Sequence, residues 1–373
     1  MDRRTFLSGA GVVAASAASA CAQQEDKNSS PAAPMINRNQ VKKLRMVTTW
    51  PKGFPGLGEA AERAARFMGE LSGRSLQIEV LGAGEFVSAY EVFDAVSNGA
   101  ADMYHGAEYY WQGRSPAYNF YCSVPFGLTA SEIMGWIDFG GGQSLWDKLS
   151  GQFNLIAFQA GNTGHQMGGW FKREINSLND FRGLRVRMPG LGGEVIRQMG
   201  GAAVSLSGGE IYQALQSGTI DATEWVGPWN DLAFGFYREA PFYYGPGFHE
   251  PGAALAVGIN RSVWDNLTTD HKAIVKASCR ACNNLSIGEF HYQNGIALNT
   301  LRVKHNVQLR QFSDEIFLEM GKISEQVVAD AANNDELTRR TYQSYLKARE
   351  YGRNWATISD APYYNYRERV LRG

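Results

Sequence analysis

The chain has 373 residues, 44% of them hydrophobic and 20% charged, with a formal net charge of −1. That is enough apolar sequence to bury two lobes without disulfides or a structural metal. The balanced charge, with no basic run, argues against nucleic acid as a partner.

The N-terminus, MDRRTFLSGAGVVAASAASAC, places Arg3 and Arg4 before an Ala-rich apolar run ending in small residues, which predicts a twin-arginine export signal over 1–21 and a periplasmic destination. That run falls short of the roughly 18–20 apolar residues a membrane span requires, as does every other. Ala18-Ser19-Ala20-Cys21 reads either as a loose lipoprotein box, with Cys21 lipid-anchored, or as plain cleavage after Ala20. Residues 22–43, including the polar stretch QQEDKNSSPAAP, read as a linker.

An internal echo organises the chain beyond the linker. LRMVTTWPKGFPGLG at 44–58 and LRVRMPGLG at 184–192 are each a β-type run and a turn ending in Pro-Gly-Leu-Gly, then a helix. The first of these helices, EAAERAARFMGELSG, is amphipathic, with Glu59/Arg63 and Glu62/Arg66 spaced for pairing. Each copy continues with a strand, LQIEVLG at 76–82 and AAVSLSG at 202–208, and a second helix. Those helices close alike, AVSNGAAD at 95–102 matching ALQSGTID at 214–221, with Gly99 and Gly218 as C-caps and Asp102 and Asp221 opening the next strand. Two β-α-β-α-β copies predict two similar α/β lobes with a cleft between them.

The polar, glycine-rich QAGNTGHQMGGWF, from Gln159 to Phe171, falls where the chain should cross between lobes. From His271 to about Lys304 a proline-free pattern predicts one or two long helices bracing both lobes, and further helices are expected at Asp314–Ala332 and Asp335–Tyr351. The implied organisation is a first lobe of 44–162 with about 251–292, a second of 163–250 with about 293–330, and a C-terminal helical extension at 331–373. Cys122, Cys279 and Cys282 are an odd number, which argues against a disulfide framework, and Cys279 and Cys282 in CRAC read as small packing residues.

Three places carry candidate chemistry. Arg187 ends a strand directly before a helix, where a guanidinium fork and free backbone N–H groups suit a carboxylate; a solvated strand face is the alternative. Glu224, in TEWVGPWND, follows the strand TIDAT at another strand end and stands beside Trp225 and Trp229. A carboxylate taken out of water there needs a partner or a cation, unless it points outward while Trp225 packs inward. Gln166, in the crossing, offers a neutral amide oxygen; together with Glu224 and the Trp225 carbonyl it would form an all-oxygen site for a hard cation such as Na⁺ or Ca²⁺.

Over residues 161–231, NTGHQMGGWF, GLRVRMPGLGG and GEIYQALQSGTIDATEWVGPWND together resemble the solute receptors of tripartite ATP-independent periplasmic (TRAP) transporters, in the branch that binds 2-oxo acids and related monocarboxylates with a metal ion. The resemblance extends from about 44 to 330 and implies a fold like that of type II periplasmic binding proteins, with an interlobe cleft. It implies that Arg187 grips the ligand carboxylate and that Gln166, Glu224 and the Trp225 carbonyl hold the cation, which also binds the ligand's 2-oxo or 2-hydroxy oxygen. Trp50, Tyr90, Glu91, Tyr104, Trp225 and Phe248 are candidate walls; Glu250, beside His249, is a candidate extra ligand to the cation. The implied partners are a small carboxylate and the TRAP membrane subunits, with a long tail suited to a homodimer through a C-terminal helix. Lys172 and Arg173 leave a dicarboxylate or sugar-acid receptor open, and a ligand sensor would look the same. An exported redox enzyme is disfavoured by the lack of a GxGxxG, a haem CxxCH or a Cys/His cluster.

Overall fold

The computed structural model describes residues 41–372. The expected export signal at 1–21, Cys21 and most of the 22–43 linker lie outside the described residues; of that linker, Lys42 and Lys43 already belong to a strand. The chain builds two sheets. Strands β1 (Lys42–Thr48), β2 (Leu76–Leu81), β3 (Met103–Gly106) and β4 (Leu155–Asn162) enter the first sheet. The next five, β5 (Gly169–Phe171), β6 (Arg185–Arg187), β7 (Ala202–Val204), β8 (Ala222–Thr223) and β9 (Phe242–Tyr244), enter the second. β10 (Ala254–Asn260) returns to the first sheet and β11 (Gln308–Arg310) to the second, giving orders β2-β1-β3-β10-β4 and β11-β9-β5-β8-β6-β7.

The sequence echo is a structural one. β1 lies between β2 and β3, parallel to both, and β6 lies between β7 and β8, parallel to both; an antiparallel strand follows β3 and β8 alike. Even the opening aspartates match: the Asp102 carboxylate accepts the Arg45 N–H at 2.7 Å, and that of Asp221 accepts the Arg185 N–H at 3.1 Å. Each carboxylate thus closes the parallel pair at the end where its ladder begins.

The first helix, Gly58–Leu71, packs through Ala60, Ala61, Ala64, Ala65 and Met68, small side chains that bring it close to the sheet. The two i,i+4 pairs expected on it do not form. Glu59 and Glu62 accept the N–H groups of Gly56 and Gly53 in the preceding turn, and Arg63 reaches Glu289 at 2.5 Å. Orphan donors at a helix start and a partner on another element win over a weak surface pair.

Glu289 belongs to a single helix, Thr269–His305, of 37 residues and so about 55 Å long. The Thr268 hydroxyl caps its start by accepting the His271 N–H, and Asn306, at φ 52, ends it in the left-handed region. It braces both lobes: the Arg63 pair ties it to the first, and Asn294 accepts the Trp229 N–H from the second. Cys279 and Cys282 are buried free thiols in its core-facing side. Helices Asp314–Ala331 and Glu336–Ala356 follow, and the second returns to the first lobe, where the Tyr345 hydroxyl accepts the Leu128 N–H at 2.7 Å. A further helix, Asp360–Arg372, continues the helical extension expected at 331–373 and buries none of its described residues. Among the described residues no helix is long and apolar enough to cross a membrane.

Candidate functional site

Two segments pass between the sheets side by side: 163–168 from β4 to β5, and 245–253 from β9 to β10. They are stitched together by backbone bonds, Gln166 N–H to the Glu250 carbonyl at 3.1 Å and Gly247 N–H to the Gln166 carbonyl at 2.9 Å. The ends of β6 and β8 meet the same place, with the Glu224 N–H donating to the Arg187 carbonyl at 3.1 Å. Gln166, Arg187, Glu224, His249 and Glu250 therefore converge from four separate stretches of chain, and all are buried.

Arg187 is wholly enclosed. Its Nε donates to the Leu206 carbonyl at 3.0 Å, and its Nη1 donates both to the Glu224 carbonyl at 3.0 Å and to Glu224 Oε1 at 2.5 Å. Its guanidinium lies over the Trp225 ring, 5.0 Å from the centroid. Burial works against the charge, but the Glu224 carboxylate outweighs it and holds the guanidinium pKa above its ordinary value. Nη2 finds no partner among the described residues. The helix Gly190–Gln198 begins three residues on, its first residue Gly190 at φ +65; a Cβ there would touch Tyr109 and Asn119, so this end of the second lobe meets the first.

Glu224 offers its other oxygen, Oε2, to His249 Nε2 at 3.3 Å. Donor atoms of Glu224, His249 and Glu250 all lie within 4.8 Å of one another. Burial, then the neighbouring Glu224 charge, pushes Glu250 up to about 7. Burial depresses His249, but its bond to Glu224 prevails and raises its pKa overall. Gln166 Nε2 donates to Thr163 Oγ1 at 3.0 Å, which turns Oε1 the other way, where this buried acceptor meets no donor among the described residues. An acceptor left unpaired in a dry place costs about 1–3 kcal/mol. Two carboxylates and a spare amide oxygen, all hard donors, fit a hard cation such as Na⁺ or Ca²⁺; the imidazole suits it less well.

Gln166, Trp225 and Glu250 face a cavity whose aromatic walls are Trp50, Tyr109 and Tyr110 from the first lobe. Trp50 Nε1 donates to His105 Nδ1 at 2.8 Å, so the ring is locked from behind, and its edge meets Trp225 with centroids 6.2 Å apart. The space left is only about 10 Å³, room for one water, so the cleft is closed on itself.

The expected wall residues divide. Trp50 and Trp225 line the cavity, and Tyr90 bridges the lobes, its hydroxyl 3.2 Å from Ser205 Oγ while its ring rests on Tyr110. Tyr104 does not join them: its hydroxyl donates to buried Glu108 at 2.7 Å inside the first lobe. Phe248 packs toward Phe126, with its neighbour His249 turned to the site instead. Glu91 is spent on capping, accepting from Ser88. Lys172 and Arg173 bond the Leu215 and Asp180 carbonyls, away from the cavity. The sequence reading missed His105, Tyr109, Tyr110 and Thr163; of these His105 had a signal, since the echo gives it the position of Glu224.

Comparison with known proteins identifies a family for the chain. Residues 46–335 match the family described as bacterial extracellular solute-binding protein, family 7. A monocarboxylate 2-oxoacid-binding periplasmic protein of Nostoc sp. is 37% identical over 367 residues, 98% of this chain and 99% of that one. A TRAP periplasmic solute-binding protein of Pseudoalteromonas atlantica, solved with sodium and pyruvate, aligns at TM-score 0.84 and 34% identity over 87% of this chain and 99% of its own. One of Colwellia psychrerythraea, solved with calcium and pyruvate, aligns at TM-score 0.85 and 35% identity over 88% and 100%.

Proposed function

The chain belongs to bacterial extracellular solute-binding protein family 7, the solute receptors of TRAP transporters, and from that premise we propose that it captures a small 2-oxo or 2-hydroxy monocarboxylate, of the pyruvate and lactate kind, together with Na⁺ or Ca²⁺. It is a binding receptor rather than an enzyme, as its family is. One observation carries the ligand reading: a buried donor, Arg187 Nη2, and a buried acceptor, Gln166 Oε1, are both without partners among the described residues, the second on the cavity wall and the first on the guanidinium that lies over Trp225 of the same wall. The first asks for a carboxylate and the second for a cation.

In this reading Arg187 takes the ligand carboxylate through its free nitrogen while Glu224, held on its other nitrogen, keeps the guanidinium aimed. Gln166, Glu224, Glu250 and the Trp225 carbonyl are the groups that would hold the cation. When bound, it supplies a positive centre for the carboxylate and the adjacent 2-oxygen, so a plain fatty acid lacks half the recognition. Trp50, Tyr109 and Tyr110 face the cavity from the first lobe and shut water out. Lys172 and Arg173, turned elsewhere, give a second carboxylate no receptor.

The remaining assignments belong to the same proposal: export by the twin-arginine route, read from Arg3 and Arg4, with Cys21 either a lipid anchor or the first residue after plain cleavage; the two lobes divided as 44–162 with about 251–292 and 163–250 with about 293–330; delivery to TRAP membrane subunits; and pairing of two copies through a C-terminal helix. The exposed tyrosines of Asp360–Arg372 support the last. Calorimetry of purified protein with pyruvate, in Na⁺, in Ca²⁺ and with both removed, tests the central reading. Tight binding is expected only with a cation; equal affinity in all three conditions refutes the cation bridge.

A further inference from the structure

A second cavity, of about 270 Å³, opens on the first lobe and shares no residue with the cleft site. One wall is a continuous face of the long helix, Lys276, Cys279, Arg280, Asn283 and Asn284, spaced three and four apart. The opposite wall is apolar, with Met134 and Ile137 from the helix Ala130–Phe139 and Phe158 from β4.

Two features mark it as more than a packing gap. Gln159 Nε2 and Asn283 Oδ1, both on residues more than nine-tenths buried, have no partner among the described residues. The β4 ladder also slips here: Ala256 pairs with Gln159 but Leu255 pairs with Gly161, leaving Ala160 unpaired. Just before this bulge, Phe158 and its neighbour Gln159 both line the same cavity. The lining is also cationic on balance. Lys276 lies over the Phe158 and Trp264 rings at 5.7 Å, and Arg280 shares Asp138 at 2.9 Å, leaving two positive groups against one negative.

We propose that this cavity is a second ligand site, for a small organic acid with an apolar body and a hydroxyl beside its carboxylate. The carboxylate takes Gln159 Nε2 and Lys276, the hydroxyl donates to Asn283 Oδ1, and the apolar body rests on Met134, Ile137 and Phe158. The size of the space fits a ring, which the closed cleft does not.

The probe is mandelate, titrated by saturation-transfer NMR into the full chain already saturated with pyruvate and Ca²⁺. Saturable binding is expected, weakened at least about 10-fold in a Lys276→Gln/Arg280→Gln variant, whose exposed or partly exposed positions leave folding intact, and in Gln159→Leu. Phenylacetate, lacking the hydroxyl, and benzyl alcohol, lacking the carboxylate, should both bind more weakly. The same titration on Arg187→Met separates the two sites. Mandelate binding lost there but kept in Lys276→Gln/Arg280→Gln belongs to the cleft and overturns the proposal, as does no saturable binding at all. Binding kept in Arg187→Met and lost in the cavity variants supports it even if the cleft ligand proves to be something other than pyruvate.

Discussion

The ends of β1/β3 and β6/β8 are the same place in two copies of one scaffold. Register puts Val47 where the second lobe has Arg187, Tyr104 where it has Thr223, and His105 where it has Glu224. The second-lobe end buries an ion pair; the first buries a neutral pair, Trp50 on His105, whose imidazole burial drives down to about 4 so that it stays uncharged and accepts. The contrast teaches that the lobes repeat architecture while dividing the chemistry. One jaw carries the buried charges proposed to read the ligand, and the other supplies a dry aromatic face with no unpaired charge of its own.

The comparison breaks most sharply at Arg187. Arg187→Met should weaken pyruvate by about 10²–10⁴-fold, since two hydrogen bonds to a charged group contribute about 1.5–3 kcal/mol each. Calorimetry showing unchanged affinity would end its role. Glu224→Gln comes next: even an outer partner of a metal ligand costs about 10–100-fold in metal affinity, so at least that loss is expected, with Ca²⁺ and Na⁺ no longer altering the binding of pyruvate. The same change strands Arg187 as a buried charge and should lower ligand-free stability by about 3–5 kcal/mol, readable by denaturant titration. On the neutral side, His105→Leu removes only the acceptor that fixes Trp50. A loss of about 2–10-fold in affinity is expected; a loss as large as that of Arg187→Met would mean the jaws are not divided as described.

Glu108→Gln should leave affinity alone and change pH behaviour instead. Burial raises Glu108 to about 8 from an ordinary 4.5, so the folded protein keeps a proton that the unfolded chain releases. The stability this contributes is complete below about 4.5 and is lost as pH climbs through about 8. Melting temperatures of wild type and variant across that range should diverge, and parallel curves would show that Glu108 is ionised in the fold.

Much of the fold, and the place where the candidate site residues converge, is legible in the residues themselves. The echo gives the two lobes, the strand ends give Arg187 and Glu224, and the crossing segment gives Gln166. Tyr104 turns into the first lobe while its neighbour His105 backs the Trp50 wall, and Phe248 packs toward Phe126 while its neighbour His249 meets Glu224. A strand or extended segment reverses its faces at every step, so composition can locate the place on the chain without choosing the side. Tyr109 and Tyr110 lie in the short turn Glu108–Trp111, which has no period to read. The final helix, Asp360–Arg372, falls within the helical extension expected at 331–373, and it buries none of its described residues.

Gln166 and Glu250 are not on the jaws but on the pivot, bonded to each other's backbone where the chain passes between sheets. Points near an axle travel least when the arms swing. A cation held there would have its other two groups, Glu224 and the Trp225 carbonyl, on the lobe that carries Arg187, and Arg187 is itself paired with Glu224. Cation and organic acid would then stay tied to one lobe through the Arg187–Glu224 pair, and what an opening removes is the aromatic wall of Trp50, Tyr109 and Tyr110.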